Sequence, residues 1–360
     1  MMMNEQTNLF DSMTAEVAVD GRPAQLFELK NNNGMAIVLM DIGAAWLSCK
    51  VPVDGELREV LLGQSHMSDF QLQQSYMGVT VGRVANRIAK GQFSIAGVAH
   101  QVDINQAGNT LHGGTYGFDK RRWIATDNSE KNSGENSVEF ELVSPDGDQG
   151  FPGELTVKVK YQLTEDNTVV LSYHGKTSKA TPINLTNHAY FNLLGADSGQ
   201  SALTHSLSIN SGVFVPTDDV GIPTGEWLSV QGSHFDFITT KLVAQDFMLD
   251  KHQQAAKGYD HAFVLDKSCL QGALAASLTS PDNVVTLSVF TTKPAMQLYT
   301  GNWLAGTPNR RGGEYQDYAG IALETQFVPD AVNHPHWDHP NVVLQPEKTY
   351  QHQTRYQFTV

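Results

Sequence analysis

The sequence is short of several things at once, and each shortage removes a class of function. Cysteine is scarce: Cys49 and Cys269 are the only two in 360 residues, and no CxxC spacing occurs. One disulfide is possible by count, but two scattered thiols in a chain this long read as reduced and intracellular. No apolar run approaches the roughly 20 residues of a membrane-spanning helix. Met35–Met40 is among the longest and ends at Asp41. The amino-terminal MMMNEQTNLFDSM sets polar and acidic residues where a secretory signal needs a basic start and an apolar stretch. Positive charge is also in deficit, with 24 Lys and Arg against 38 Asp and Glu, for a net charge of −14. Such a surface disfavours nucleic acid and anionic membranes as partners and is indifferent to a neutral small molecule. These absences together predict a cytoplasmic protein with neither a nucleic-acid nor a membrane partner.

Chemical motifs are missing too. There is no GxGxxG after a strand, no P-loop and no GxSxG elbow, which argues against nicotinamide, nucleotide-driven and α/β-hydrolase chemistry. The stretch Asn333–His339 (NHPHWDH) invites a metal reading through His334, His336, Asp338 and His339. Pro335 and Pro340 deny it regular spacing, and a metal centre needs convergent geometry, so the expectation is a surface loop and no metal.

What is present is a dominant period of two. Glu154–Thr164 places Leu155, Val157, Val159, Tyr161 and Leu163 on one face, and after Glu165, Asp166 and Asn167 comes Thr168–Gly175. That is a hairpin signature. Gly91–Ile104 reads as a second hairpin around Ala96–Gly97. Further strands are expected at Leu26–Lys30, Met35–Asp41, Ser137–Leu142, Leu203–Ile209, His261–Leu265, Leu274–Ser280, Val284–Phe290, Met296–Thr300, Gly320–Glu324 and Tyr350–Val360. Helical signals are few and short, at Lys241–Phe247 and Gly301–Ala305. The polar tract Thr126–Ser137 reads as an exposed loop between strands. No fixed-period repeat appears. The fold class expected is all-β, a large antiparallel sandwich with few short helices. It would form one domain over residues 1–360, with 1–20 as a lead-in.

Four segments concentrate polar residues that a β core does not ordinarily tolerate. They are Gly82–Gly91 (GRVANRIAKG), Asn109–Trp123 (NTLHGGTYGFDKRRW), Thr181–Leu194 (TPINLTNHAYFNLL) and Ala322–Pro335 (ALETQFVPDAVNHP). Taken singly, His112, His188 and Glu324 fit ordinary structural roles. Arg83 and Arg87 suit structural ion pairs as well as a site, and the amides of Asn184, Asn187 and Asn192 suit turns.

Taken together, the segments resemble the aldose 1-epimerases, in order and over most of the chain. The resemblance continues in Gly258–His261 (GYDH) and Met296–Asn302 (MQLYTGN). It implies a β-supersandwich of the galactose mutarotase type with a sugar in an open cleft and no cofactor. It also implies Glu324 as general base and His188 as general acid. Asn86, Arg87, His112, Asp260 and Gln297 would hold hydroxyls. Tyr190, Phe263, Trp303 and Trp123 are candidates to pack against the ring, and Tyr190 is counted with the binding residues. Ala189 and Ala262 depart from the family pattern, which touches the fine hydroxyl contacts.

The chemistry this implies interconverts the α and β anomers of a free hexose such as galactose or glucose. A base takes the proton of the anomeric hydroxyl while an acid protonates the ring oxygen. The open aldehyde then rotates and closes on its other face. Glu, with a reference pKa of about 4.3, is ionised at neutral pH; His, at about 6.5, needs a nearby negative charge such as Asp260 or Glu324 to stay protonated. The rate is then expected to fall at low pH through Glu324 and at high pH through His188. Alternatives remain. A hexose-phosphate 1-epimerase would use clustered cations, for which Lys120–Arg122 is the candidate. A glycoside hydrolase would pair Asp260 with Glu324 and leave His188 without a task. A non-catalytic sugar-binding module would have lost base or acid. Monomer and homodimer are both open.

Overall fold

The protein is seen in a computed structural model that describes residues 9–126 and 136–360 in full, with the backbone alone at Asp127 and Asn128. The alternation of Leu155–Leu163 is realised as expected: Leu155, Val157, Val159, Tyr161 and Leu163 are buried while the intervening residues are half exposed. This strand pairs antiparallel with Thr168–Thr177, Tyr161 facing Leu171. The pair sits inside a nine-stranded sheet. The carboxy-terminal strand Tyr350–Thr359 runs between Thr168–Thr177 and Thr286–Thr291, joining the middle of the chain to its late part. Tyr161, Tyr173, Leu287, Val289, Tyr356 and Phe358 belong to one continuous core.

A six-stranded sheet closes the other side of that core and carries the chemistry. It includes Tyr190–Phe191, Ile321–Gln326, Ala295–Tyr299 and Asp260–Val264 as successive neighbours. Successive side chains of a strand point to opposite faces. Met296, Leu298, Ile321, Leu323, Phe191 and Phe263 therefore face the core. The other face receives Tyr190, Ala322, Glu324, Gln297, Tyr299, Asp260 and Ala262. Registers fix the neighbours: Gln297 lies opposite Glu324 and Ala262, Tyr299 opposite Asp260 and Ala322, and Tyr190 opposite Ala322. Ala262, a departure from the family spelling, sits between Gln297 and the buried Val215 and packs within the core.

The strands foreseen from alternation are present within a few residues of their expected limits. Ala45–Val53 was not foreseen, because Ala45–Cys49 is buried throughout and shows no polar face to alternate with. Ala45–Val53 forms a four-stranded sheet with Leu26–Lys30, Ala36–Met40 and Glu56–Glu59. Lys241–Phe247 contains a short 3₁₀ turn at Val243–Asp246, whereas Gly301–Ala305 is a turn rather than a helix. The α-helices described are Leu9–Thr14, Met67–Leu72 and Lys251–Ala256. Among the described residues no helix is long and apolar enough to cross a membrane. Of the tract expected as a loop, residues 129–135 lie outside the described residues, and its ends continue the strands Ile124–Asn128 and Ser137–Ser144. Residues 1–8 of the lead-in also lie outside them, and the rest begins with Leu9–Thr14.

Candidate active site

Above the polar face of the six-stranded sheet lies a cleft of about 660 Å³ lined by Asn86, Arg87, His112, His188, Tyr190, Asp260 and Glu324. Gln297 lies behind them and donates from Nε2 to Asp260 Oδ1 at 2.7 Å. The sequence-chosen residues thus converge, although they come from positions as far apart as 86 and 324.

Local structure explains how each is held. The runs GRVANRI and NTLHGG meet as paired strands, Arg87 opposite Leu111 and Ile88 opposite Thr110. Gly113 makes the approach possible, since a Cβ there would lie 2.0 Å from the carbonyl oxygen of Gly82. Asn86 and His112 both adopt left-handed backbone, φ 61° and 49°. They lock reciprocally: His112 N donates to Asn86 O at 3.0 Å, and Asn86 N donates to His112 Nδ1 at 3.1 Å. An Nδ1 that accepts leaves the proton of a neutral imidazole on Nε2. Burial, with His188 and Arg87 nearby, pushes the His112 pKa well below its ordinary value and keeps the ring neutral. His112 is therefore a fixed hydrogen-bond donor.

That tautomer bears on metal binding. Ligand atoms of His112, His188 and Glu324 lie within 4.8 Å of one another. A metal on His112 Nε2 would force the proton onto Nδ1, against the N–H of Asn86. The donor set does not fit a resident three-ligand ion.

Arg87 donates from Nε to Gln106 Oε1 at 2.9 Å, and its Nη1 lies 3.8 Å from Asp260 Oδ2. Its guanidinium rests on Gly221, where a Cβ would come within 2.7 Å of Cζ. His188 is hung between backbone bonds, donating its N–H to Val79 O and accepting from Gly78 N, both at 2.9 Å. Its Nε2 lies 3.5 Å from Glu324 Oε1. His188 Nδ1 and Glu324 Oε2 are buried with no hydrogen-bond partner among the described residues. Burial lowers the His188 pKa to about 4, opposed by a backbone contact and by Asp260. Burial raises that of Glu324 well above the carboxylate range, reinforced by Asp260 and opposed by Arg87. Such a pair can hold one proton and pass it either way across a bound ligand.

Other readings resolve differently. Arg83 lies outside the cleft and is 2% exposed. It donates to the carbonyls of Pro152 and Gly153 and to Ser144 Oγ and Thr181 Oγ1, so it is a brace rather than an ion pair. Asn184 and Asn187 bind backbone at Ala85 and Gly78, and Asn192 binds Gln200 and Ala319. Trp123 and Phe263 are core residues, whereas Trp303 stands at the mouth of the cleft, 67% exposed over Lys257. In the 333–339 loop, His334 stacks on Trp337 at 4.0 Å and meets Asp330 at 3.4 Å. Lys120, Arg121 and Arg122 turn to Thr115 O, Asp148 and Asp20 and do not line the cleft. Tyr76, Gln106 and Tyr299 line it and were not foreseen. Tyr299 had a signal: it stands two residues from Gln297 on the same strand face. Tyr76 and Gln106 lie in turns and had none.

A family model described as aldose 1-epimerase matches residues 25–357. An aldose 1-epimerase of Haemophilus influenzae is 47% identical over 341 residues, covering 95% of this chain and 97% of that one. A galactose mutarotase of Bos taurus is 42% identical over 309 residues, 85% of each chain. The crystal structure of galactose 1-epimerase from Lactobacillus acidophilus superposes with a TM-score of 0.81 at 28% identity, covering 95% of this chain and 96% of that one.

Proposed function

This chain belongs to the aldose 1-epimerase family, and on that premise we propose that it interconverts the anomers of a free hexose such as galactose or glucose, with Glu324 and His188 as its proton-transfer pair. The observation that carries this reading is the 3.5 Å contact between His188 Nε2 and Glu324 Oε1 inside the cleft. In the productive arrangement Glu324 is a carboxylate and His188 an imidazolium. Glu324 takes the anomeric hydroxyl proton as His188 gives its own to the ring oxygen, and the C1–ring-oxygen bond breaks. The pair is then left as carboxylic acid and neutral imidazole. After rotation about C1–C2 the same two transfers run backwards on the other face, and the enzyme is regenerated without net proton change. Burial favours the second of these two states in the free protein, so that arrangement matches the open-chain intermediate.

His112, a fixed donor, would bind a sugar oxygen without joining the proton traffic. Arg87, Asn86 and Asp260 would bind hydroxyls, and Tyr190 would face the ring. A neutral sugar is favoured over a sugar phosphate because Lys120, Arg121 and Arg122 are turned away. The core running from Leu29 to Phe358 supports one domain. Free, buried Cys49 and Cys269 suit a cytoplasmic setting.

The test is polarimetry on freshly dissolved α-D-galactose with wild type, Glu324→Gln and His188→Asn. Wild type should reach the equilibrium rotation rapidly, and each variant should lose about 10²–10⁴-fold. A variant retaining the full rate would remove its residue from the pair. A wild type no faster than the spontaneous reaction, with glucose and hexose 6-phosphates as well, would favour a binding module.

A further inference from the structure

We propose that the rings of Tyr190 and Tyr76 are positioning residues for His188, presenting aromatic surface that lets this buried imidazole carry a positive charge. The proposal rests on the reading of His188 as proton donor. Its problem is that the donor is buried, and burial alone disfavours imidazolium.

The geometry supplies an answer. The Tyr190 ring lies 4.8 Å from that of His188 with planes 28° apart, and the Tyr76 ring 6.1 Å away at 21°. Both phenols thus run nearly parallel to the imidazole, and a tyrosine face is the negative region of its quadrupole. The charged and titratable groups around His188 are Glu324, Asp260, Arg87 and His112, with Tyr299 edge-on at 6.3 Å. Arg87 and Asp260 face each other at 3.8 Å. Asp260 favours the cation from across the cleft, and the two aromatic rings are the groups stacked against the imidazole itself.

The two tyrosines are also tied together. Tyr190 follows His188 by two residues and its ring stacks on the imidazole. The Tyr190 hydroxyl donates to the carbonyl of Ser75 at 2.9 Å. Ser75 precedes Tyr76, whose φ of 56° is uncommon for a residue with a side chain and turns its ring toward His188 and His112. One hydroxyl therefore fixes the loop that delivers the second ring. An aliphatic side chain would fill either space but offer no such face.

The experiment is an NMR titration of the His188 ring in wild type and in the Phe and Leu variants of Tyr190 and Tyr76. Phe keeps the face and loses the hydroxyl; Leu loses both. The Leu variants should lower the His188 pKa by about 0.4 to 1.5 units, with Tyr76→Leu at the lower end; Tyr76→Phe should match wild type, and Tyr190→Phe, which releases the Ser75 carbonyl, should shift it no further than Tyr76→Leu does. The mutarotation rate of each Leu variant should fall by the corresponding factor, about 3- to 30-fold. Leu variants that titrate like wild type, or a Phe variant that shifts as far as the Leu variant at the same position, would overturn the proposal. If the fully buried Tyr190→Leu does not fold, Tyr76→Leu at the cleft wall decides by itself. A His188→Asn protein with full activity would remove the donor role yet leave the titration readable, so the two failures are distinguishable.

Discussion

His188 Nε2 and Glu324 Oε1 stand 3.5 Å apart with opposite burial effects upon them, the imidazole pushed down to about 4 and the carboxyl pushed up. Burial thus acts to reverse the order of proton affinity expected from isolated side chains, against the attraction of an ion pair at this distance. Between the two values the pair holds one proton, mostly on the carboxyl.

This ordering sets the pH dependence. Below the lower value the pair holds two protons and has no base; above the upper value it holds none and has no acid. The profile of kcat/KM should be bell-shaped, with the acid limb belonging to His188 and the alkaline limb to Glu324. The check is to titrate the His188 ring by NMR beside the rate profile. Imidazole titration coinciding with the alkaline limb would restore the ordinary order and refute this one.

Arg83 is expected to matter for folding and not for sugar binding. Its guanidinium satisfies Pro152 O, Gly153 O, Ser144 Oγ and Thr181 Oγ1 at once. Leaving such buried groups unpaired costs about 1–3 kcal/mol apiece. Arg83→Leu should lower the urea-unfolding free energy by about 3 kcal/mol or more, while the folded fraction keeps the wild-type KM. A stable variant with raised KM would contradict the assignment.

The contrast between Arg83 and Arg87 shows what the chain announces and what it withholds. Both lie in one GRVANRI run, and nothing in their spelling says that Arg87 enters the cleft while Arg83 braces carbonyls and hydroxyls from residues 144 to 181. That division depends on which segments fold over the run. Period two located the strand holding Glu324 and, with its register, explains why Gln297, Tyr299 and Asp260 share its face. It was silent on Ala45–Cys49, whose side chains are all buried. It was equally silent on Tyr76, whose place follows from a turn. The pKa order was illegible for a related reason: reference values belong to solvated groups, and desolvation is a property of the assembled cleft.

Gly221 should prove a specificity element through Arg87. Its φ is 81°, and an added Cβ would fall 2.7 Å from Arg87 Cζ and 2.8 Å from Nε. Gly221→Ala must displace the guanidinium from Gln106 and Asp260. KM for galactose should rise several-fold with a smaller change in kcat, because Arg87 takes no part in proton transfer. Gly232→Ala is the control: its φ is 69° but nothing lies within 4 Å of the new Cβ, so it reports backbone strain alone. Equal effects on KM from the two substitutions would rule out the contact.

Lys293 should make stability rise with pH. It is fully buried, with Nζ donating to Leu185 O at 2.9 Å and contacting the Tyr350 hydroxyl, which itself accepts from Leu185 N at 3.0 Å. Rings of Tyr350, Tyr173 and Phe327 surround the amine at 4.7, 5.4 and 5.5 Å. Burial depresses its pKa well below the ordinary value of 10.5. Where pH lies between the depressed and ordinary values, the unfolded chain binds a proton that the folded chain does not. Stability then increases with pH across that window, by up to about 1.4 kcal/mol per pH unit from this group. Lys293→Met removes the slope, although it leaves the Leu185 carbonyl short of a donor. Urea unfolding at pH 7 and pH 10 should show the variant comparing more favourably with wild type at pH 7 than at pH 10. Parallel stabilities at the two pH values would mean that Lys293 keeps its proton in the core, held by the three rings and the carbonyl.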